Sequence, residues 1–309
     1  MDGISNKIHD AVKPYGYKAK TVAIAHLAEA QESVAKLIRQ GLISEQLYEK
    51  WHFYLKTNEN LPEAKTIIAV AMPQPITRLR FEWQGRIFPA NIPPTYFTEV
   101  DNSRAERILK SVLETAGYRI AKAHLALKTL AVRSGLAEYG RNNISYVLEM
   151  GSLCQLVAFY SDCPCEEDNW QEPRVMKECH DCSLCRENCP TGSIISDRFL
   201  IHAENCLGSL NEKEPGFPYW VKLQPDWPNA LIGCMRCQFV CPVDKPYMHR
   251  IIEGPSFSEV ETSLILNKKP WEELFPETRQ KLEDVCGIYP LLAQNLGALI
   301  EKQKKITQG

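Results

Sequence analysis

The chain has 309 residues, a formal net charge of −2 and a pI near 6.4, so no global basic field marks it for nucleic acid, and no nucleic-acid partner is expected. No apolar run approaches the roughly 20 residues that cross a bilayer, so no membrane span is expected, and the opening MDGISNKIHD carries no apolar signal segment. Its 12 cysteines are grouped rather than scattered, which points to thiolate ligands in a reducing cytoplasm rather than to a secreted disulfide framework.

The first pattern along the chain predicts two helices over residues 26–55. Leu27, Ala30, Val34, Leu37 and Ile38 mark one apolar face with Gly41 placed to end it, and Leu47, Trp51, Tyr54 and Leu55 mark the next. The uninterrupted apolar run 66–72, stopped by Pro73, reads as a buried strand. Residues 73–100, rich in proline and aromatics, read as a long irregular loop of the kind that often carries function. Ser103 and Glu106 form a capping-box pattern for an amphipathic helix closed by Gly117. A second helix is predicted over 121–134, ending at Gly135. Residues 145–160 read as two strands around a tight turn at Gly151-Ser152. Beyond Pro255 the pattern is helical to the end. Strands mixed with helices predict an α/β (α+β) fold. The expected domains are an N-terminal helical segment (1–62), an α/β domain (63–172), a cysteine module (173–250) and a C-terminal helical tail (251–309).

The cysteine module carries the most specific signal. Cys179, Cys182, Cys185 and Cys189-Pro190 are spaced C-x2-C-x2-C-x3-C-P, and Cys234, Cys237 and Cys241-Pro242 are spaced C-x2-C-x3-C-P, with Cys206 between the blocks. The first spacing is the bacterial ferredoxin run, whose fourth cysteine crosses to the other cluster. Crossing in both directions gives Cys179, Cys182, Cys185 and Cys241 to one 4Fe–4S cluster. Cys189, Cys234 and Cys237 then fall to the other, one ligand short, and Cys206 is the nearest unassigned thiol. A zinc ribbon uses C-x2-C pairs too, but needs only four ligands. Cys154, Cys163, Cys165 and Cys286 read as core or surface thiols.

A second signal precedes the clusters. Lys128 and the turn Gly135-Leu136-Ala137-Glu138-Tyr139-Gly140-Arg141-Asn142-Asn143 place glycines and polar side chains where a small sheet begins. The plain alternative is an ordinary helix-to-strand connection.

This turn, with CPTGSI at 189–194, AENCLGSLNE at 203–212 and GCMRCQFVCPVDK at 233–245, resembles the epoxyqueuosine reductase and reductive dehalogenase superfamily, over roughly residues 65–250. The similarity is greatest to shorter members known as 4Fe–4S double-cluster proteins. It implies a nitroreductase-like α/β domain holding a base-off cobalamin, followed by a bacterial-ferredoxin-like module whose clusters feed electrons to the cobalt. It also implies the cluster ligands assigned above, Cys206 included. The chain departs from the tRNA-modifying branch in two ways. Only about 60 residues follow the clusters, and the helix matching that branch's catalytic motif reads RAERILK at 104–110, with Asp101 just before it as a loose substitute that suits a helix cap better. Epoxyqueuosine reduction is therefore not carried over.

The expected function is an iron–sulfur oxidoreductase, anaerobic in setting, that passes low-potential electrons to a corrinoid reducing a small organic substrate. The alternative is an electron-transfer protein or corrinoid-protein activator without a substrate of its own. The expected partners are a low-potential donor such as ferredoxin or flavodoxin and a small molecule or corrinoid protein. Candidate proton-transfer residues are Tyr139, Tyr96 and Arg141, because a phenol donates once a neighbouring cation stabilises its anion. If a cobamide binds, Lys128, Gly135, Gly140, Asn142, Asn143 and the 73–100 segment would line its pocket. Glycines there would allow close backbone approach, and the asparagines would satisfy corrin amides without charge.

Overall fold

The computed structural model describes residues 3–43, 61–96, 99–212, 224, 226–283 and 289–306. In chain order the elements are α1 (Ile4–Val12), β1 (Lys18–Ala23), α2 (His26–Arg39), β2 (Thr66–Pro73), β3 (Ile76–Trp83), β4 (Arg86–Ile92), α3 (Glu99–Leu113), β5 (Ile120–Ala123) and α4 (Leu127–Arg133). They continue with β6 (Glu138–Tyr139), β7 (Ser145–Tyr146), β8 (Cys154–Ser161), α5 (Leu184–Glu187), α6 (Leu207–Leu210), α7 (Arg236–Phe239), β9 (Ile251–Phe257), α8 (Glu259–Leu266), α9 (Pro276–Leu282) and α10 (Tyr289–Ile306). The fold is mixed α/β, in two compact units: Met1–Pro73 with Thr98–Asp181, and Gln74–Phe97 with Cys182–Gly309. Among the described residues, no helix is long and apolar enough to cross a membrane.

The first unit is built on an antiparallel sheet of order β1-β2-β8-β5. Strand β2 is apolar on both faces because both are covered, and its period of two sorts the side chains. Ile67, Ala69 and Ala71 join Leu130, Ala131 and Leu136 in one core, while Ile68, Val70 and Met72 join Ile8, Val12, Leu109 and Leu113 in the other. Helix α2 takes the predicted face, and Gly41 follows it in the left-handed region at φ +68°. The predicted partner helix, Leu47–Leu55, lies outside the described residues.

The second unit holds a three-stranded sheet of order β4-β3-β9, with β3 and β9 parallel. Leu79, Phe81, Phe88, Ala90 and Ile92 face Ile265, Leu282, Leu292, Leu296 and Ile300 from the C-terminal helices. Phe81 stacks on Phe257 at 4.7 Å between ring centroids.

Several expectations are corrected. Residues 73–100 are not an irregular loop. They form the β3–β4 hairpin, turned at Gln84 and Gly85 with φ +51° and +68°. Pro89, which argued against a strand, sits on the edge strand β4, where a missing N–H costs no ladder bond. The stretch 121–134 is not one helix, since its start is β5 and only Leu127–Arg133 is helical. The 145–160 hairpin does not form either: β7 pairs with β6, and β8 pairs with β2 and β5. Helix α3 starts at Glu99, so Ser103 is interior to it and Asp101 is no cap. The capping box lies instead at Ser258 and Glu261, opening α8. The chain runs on as strand β9 to Phe257 before the last helices begin.

Candidate metal centre

In the second unit, short helical turns present the cysteines. Cys185 lies on α5 and Cys237 on α7, each helix four residues long and each followed by a Cys-Pro pair, Cys189-Pro190 and Cys241-Pro242. Proline cannot continue a helix, so each turn stops where the last thiol is needed. Cys206 stands at the N-terminus of α6, and its sulfur takes the backbone N–H groups of Gly208 and Ser209. Burial pushes the Cys206 thiol up to about 11, Cys234 adds to the shift, the two amides oppose it, and Cys189 adds further. Burial likewise raises the Cys234 thiol, opposed by the Arg236 N–H and the Asn229 side chain and reinforced by Cys189. Cys189, Cys206 and Cys234 therefore feel one another's charge. A Cβ built on Gly208 would lie 3.7 Å from Cys206 Sγ and 3.8 Å from Cys234 Cβ.

The Cys234 turn is held by side chains that sequence patterning did not single out. Asn211 donates from Nδ2 to the Gly233 carbonyl at 2.6 Å and accepts the Gly233 N–H at 2.9 Å. Asn295 of α10 in turn donates to the Asn211 carbonyl at 3.0 Å. Gly233 has φ +69°, and a Cβ there would reach the Tyr96 ring at 2.8 Å. The Tyr96 hydroxyl donates to Glu212. Burial, then the Glu212 carboxylate, then Cys206 and Cys234, all hold the Tyr96 phenol well above its ordinary range, so it stays protonated.

In the first unit, Cys179 ends a short 3-10 turn, Lys177–Cys179, just before the chain passes to the second unit at Cys182. Arg141 is committed to it. Its backbone N–H donates to Cys179 Sγ at 3.3 Å, and Nη2 donates to the carbonyls of Cys179 at 2.6 Å and His180 at 3.1 Å.

The other turn residues serve the turn itself. Tyr139 is buried and its hydroxyl bonds Thr129 Oγ1 at 3.2 Å. Burial raises its phenol, with the Thr129 bond and Arg133 opposing. Asn142 donates to Tyr146 Oη at 2.9 Å and accepts from the Ile144 N–H at 3.2 Å. Lys128 Nζ donates to the Asn143 carbonyl at 3.4 Å, and Asn143 is left-handed at φ +61°. Gly135 takes φ +70° to end its helix, and a Cβ on Gly140 would lie 2.5 Å from the Tyr146 ring. The structure thus brings Lys128, Tyr139, Arg141, Asn142 and Asn143 into the first unit and places Tyr96 in the second.

Among the described residues, no three His, Cys, Asp or Glu side chains are gathered as around one metal ion. The donor set fits a thiolate-held cluster on other grounds: its sulfurs are soft ligands, each of Cys179, Cys206 and Cys234 with N–H groups directed at it. Cys154 and Cys163 are buried and remain core thiols.

Residues 178–244, which contain all eight clustered cysteines, match the family model of the 4Fe-4S double cluster binding domain. The epoxyqueuosine reductase of Bacillus subtilis is 27% identical over 196 residues, covering 60% of this chain and 49% of that protein. The chain spans about half the length of the curated relatives it matches first. A crystal structure of selenomethionine-labeled epoxyqueuosine reductase superposes with a TM-score of 0.66 at 18% identity, covering 96% of this chain and 81% of that one. An epoxyqueuosine reductase solved with an epoxyqueuosine-modified tRNA-Tyr stem loop has a TM-score of 0.64 at 20% identity, with the same coverage. That RNA-bound relative overturns the exclusion of a nucleic-acid partner, which rested on net charge: a near-neutral chain can still carry a local RNA-binding face. Residues 178–244 are thus similar to 4Fe–4S double cluster binding domains, and the chain shares its fold with the epoxyqueuosine reductases.

Proposed function

We propose that the chain is an iron–sulfur reductase whose two 4Fe–4S clusters deliver single low-potential electrons to a corrinoid. The first cluster takes Cys179, Cys182, Cys185 and Cys241, and the second takes Cys189, Cys206, Cys234 and Cys237. The observation that carries the reading is the set of N–H groups directed at cluster sulfurs from Arg141, Gly208, Ser209, Arg236 and Asn229. Such bonds stabilise thiolate ligation and set reduction potential. A corrinoid, when bound, supplies a strongly nucleophilic reduced cobalt that the protein's own side chains cannot provide.

In this reading Arg141 keeps Cys179 in place, and Tyr96 keeps its proton while donating a hydrogen bond to Glu212. The relative solved with a tRNA stem loop brings a modified tRNA nucleoside into the substrate classes to be tested, beside small organic molecules.

A second reading, electron transfer to a partner with no substrate, draws on a specific observation. Arg141, Asn142 and Lys128 each make hydrogen bonds to residues of the first unit, and the Gly140 position is filled by Tyr146 and Asn142. Cobalt analysis and cobalamin binding by the cluster-replete chain, with and without an epoxyqueuosine-modified tRNA stem loop, separate the readings. Tight cobalamin binding supports the reductase, and none leaves electron transfer.

A further inference from the structure

Asn229 is fixed by three contacts around the Cys234 turn. Its Nδ2 donates to the Trp227 carbonyl at 3.0 Å and to Cys234 Sγ at 3.3 Å, and its Oδ1 accepts the Met235 N–H at 2.7 Å. The amide cannot be turned over, because the Met235 N–H requires an acceptor and the Trp227 carbonyl a donor. The second N–H of Nδ2 is therefore held against the sulfur. Asn229 is half-buried, beside a Cys234 that burial raises and the neighbouring Cys189 raises further. The chain nearby is anchored independently: Lys302 Nζ donates to the Pro228 carbonyl, and Arg236 Nη1 to that of Asp226 at 2.9 Å. The amide's position is thus fixed by contacts within the protein.

We propose that Asn229 is a positioning residue for the second cluster, acting through Cys234 to set that cluster's reduction potential independently of the first. This rests on the two-cluster reading above. Reduction adds negative charge to the cluster and its thiolates. An N–H directed at one of those sulfurs stabilises the reduced state more than the oxidised one, and raises the midpoint. The bond comes from a side chain, so it can be removed without touching the backbone amides that serve Cys206. The Asn211 side chain, by contrast, bonds the Gly233 backbone on both sides of its amide and, among the described residues, sends no hydrogen to the sulfur, so its role is to shape the loop.

The test is potentiometric titration followed by electron paramagnetic resonance on reconstituted wild type, Asn229→Asp and Asn229→Ala, with iron counted in each. Asn229→Asp keeps the acceptor for the Met235 N–H and loses the donor to sulfur. The expected result is a second-cluster midpoint displaced to more negative potential in both variants, further in Asp than in Ala, with the first-cluster midpoint unmoved. Should Asn229→Asp fail to load the second cluster, Asn229→Ala decides alone. Selective loss of the second cluster from both, the first keeping its potential, also supports the role. Both midpoints unchanged in Asn229→Ala, both shifted equally, or both clusters lost together would overturn it. A wild type with no second cluster removes the reading on which the proposal stands.

Discussion

At the scale of single residues, the centre depends on positions whose backbone or hydrogen bonds leave no substitute. Gly233 precedes Cys234, takes φ +69°, and leaves no room for a Cβ, which would lie 2.8 Å from the Tyr96 ring. Gly233→Ala adds a left-handed non-glycine residue, costing about 1–2 kcal/mol, plus a clash with that ring. Thermal unfolding should show a lowered Tm, and a Tyr96→Ala partner substitution should recover only the steric part. If the single variant unfolds with the wild type, the turn is not as close as described. Arg141→Met removes the guanidinium from the Cys179 and His180 carbonyls while leaving the backbone N–H to Cys179 Sγ. It should lower first-cluster iron loading and spare the second cluster, as iron counts with cluster-specific resonance spectra would reveal. Equal loss from both clusters would assign Arg141 a general folding role. Seven of the eight cysteines stand out in the sequence because each keeps a set spacing from a neighbour, whereas Cys206, alone between the blocks, is reached only by elimination. Asn211 does not stand out, since its bonds join residues 22 apart in sequence and leave no local pattern. Asn229 and Tyr96 serve the same turn, yet as an isolated asparagine and tyrosine they carry no ligand signature.

Among the elements, the clearest energetic prediction lies at the start of α8. Glu261 is 7% exposed. It accepts from Lys281 Nζ at 2.8 Å, the Ser258 N–H at 2.9 Å and Thr278 Oγ1 at 2.9 Å, tying α8 to α9. Burial alone would raise its carboxyl, but the Lys281, Ser258 and Thr278 bonds outweigh it and hold it below the ordinary 4.5. Because the folded value is the lower one, the stabilisation is complete above about pH 4.5 and is lost as pH falls through the folded value. Glu261→Gln should cost about 2 kcal/mol at neutral pH, as expected for weakening hydrogen bonds to a charged group whose Lys281 partner is partly exposed. It should also flatten the acid limb of the stability curve, which chemical denaturation at several pH values would measure. A variant with wild-type stability at pH 7 would contradict this.

Elements announced by one local pattern, α2 and β2, were readable from sequence. The β3–β4 hairpin was concealed by prolines that an edge strand tolerates, although Leu79, Phe81, Phe88 and Ala90 alternate inward. Strand β5 was absorbed into a helical pattern because Ile120–Ala123 is too short to declare a period. Strand β8 finds its partners far away in sequence, which no turn signal between 145 and 160 could show.

For the whole molecule, the fold is shared with solved epoxyqueuosine reductases, while the sequence match spans about half of the curated relatives it matches first. Cysteine-only ligation in a ferredoxin-type setting predicts that both clusters titrate at low potential, around −400 mV or below, the range that corrinoid reduction would require. Midpoints well above that range in a redox titration would remove the corrinoid from the account and leave electron transfer. The central claim is that two clusters are held by eight thiolates with Cys206 completing the second. Iron and acid-labile sulfide counted per chain after anaerobic reconstitution, wild type beside Cys206→Ser, test it most directly. The account predicts about eight irons in the wild type, with one cluster selectively lost or spectrally altered in the variant. A wild type that saturates near four irons, or a variant indistinguishable from it in iron and spectra, would contradict it.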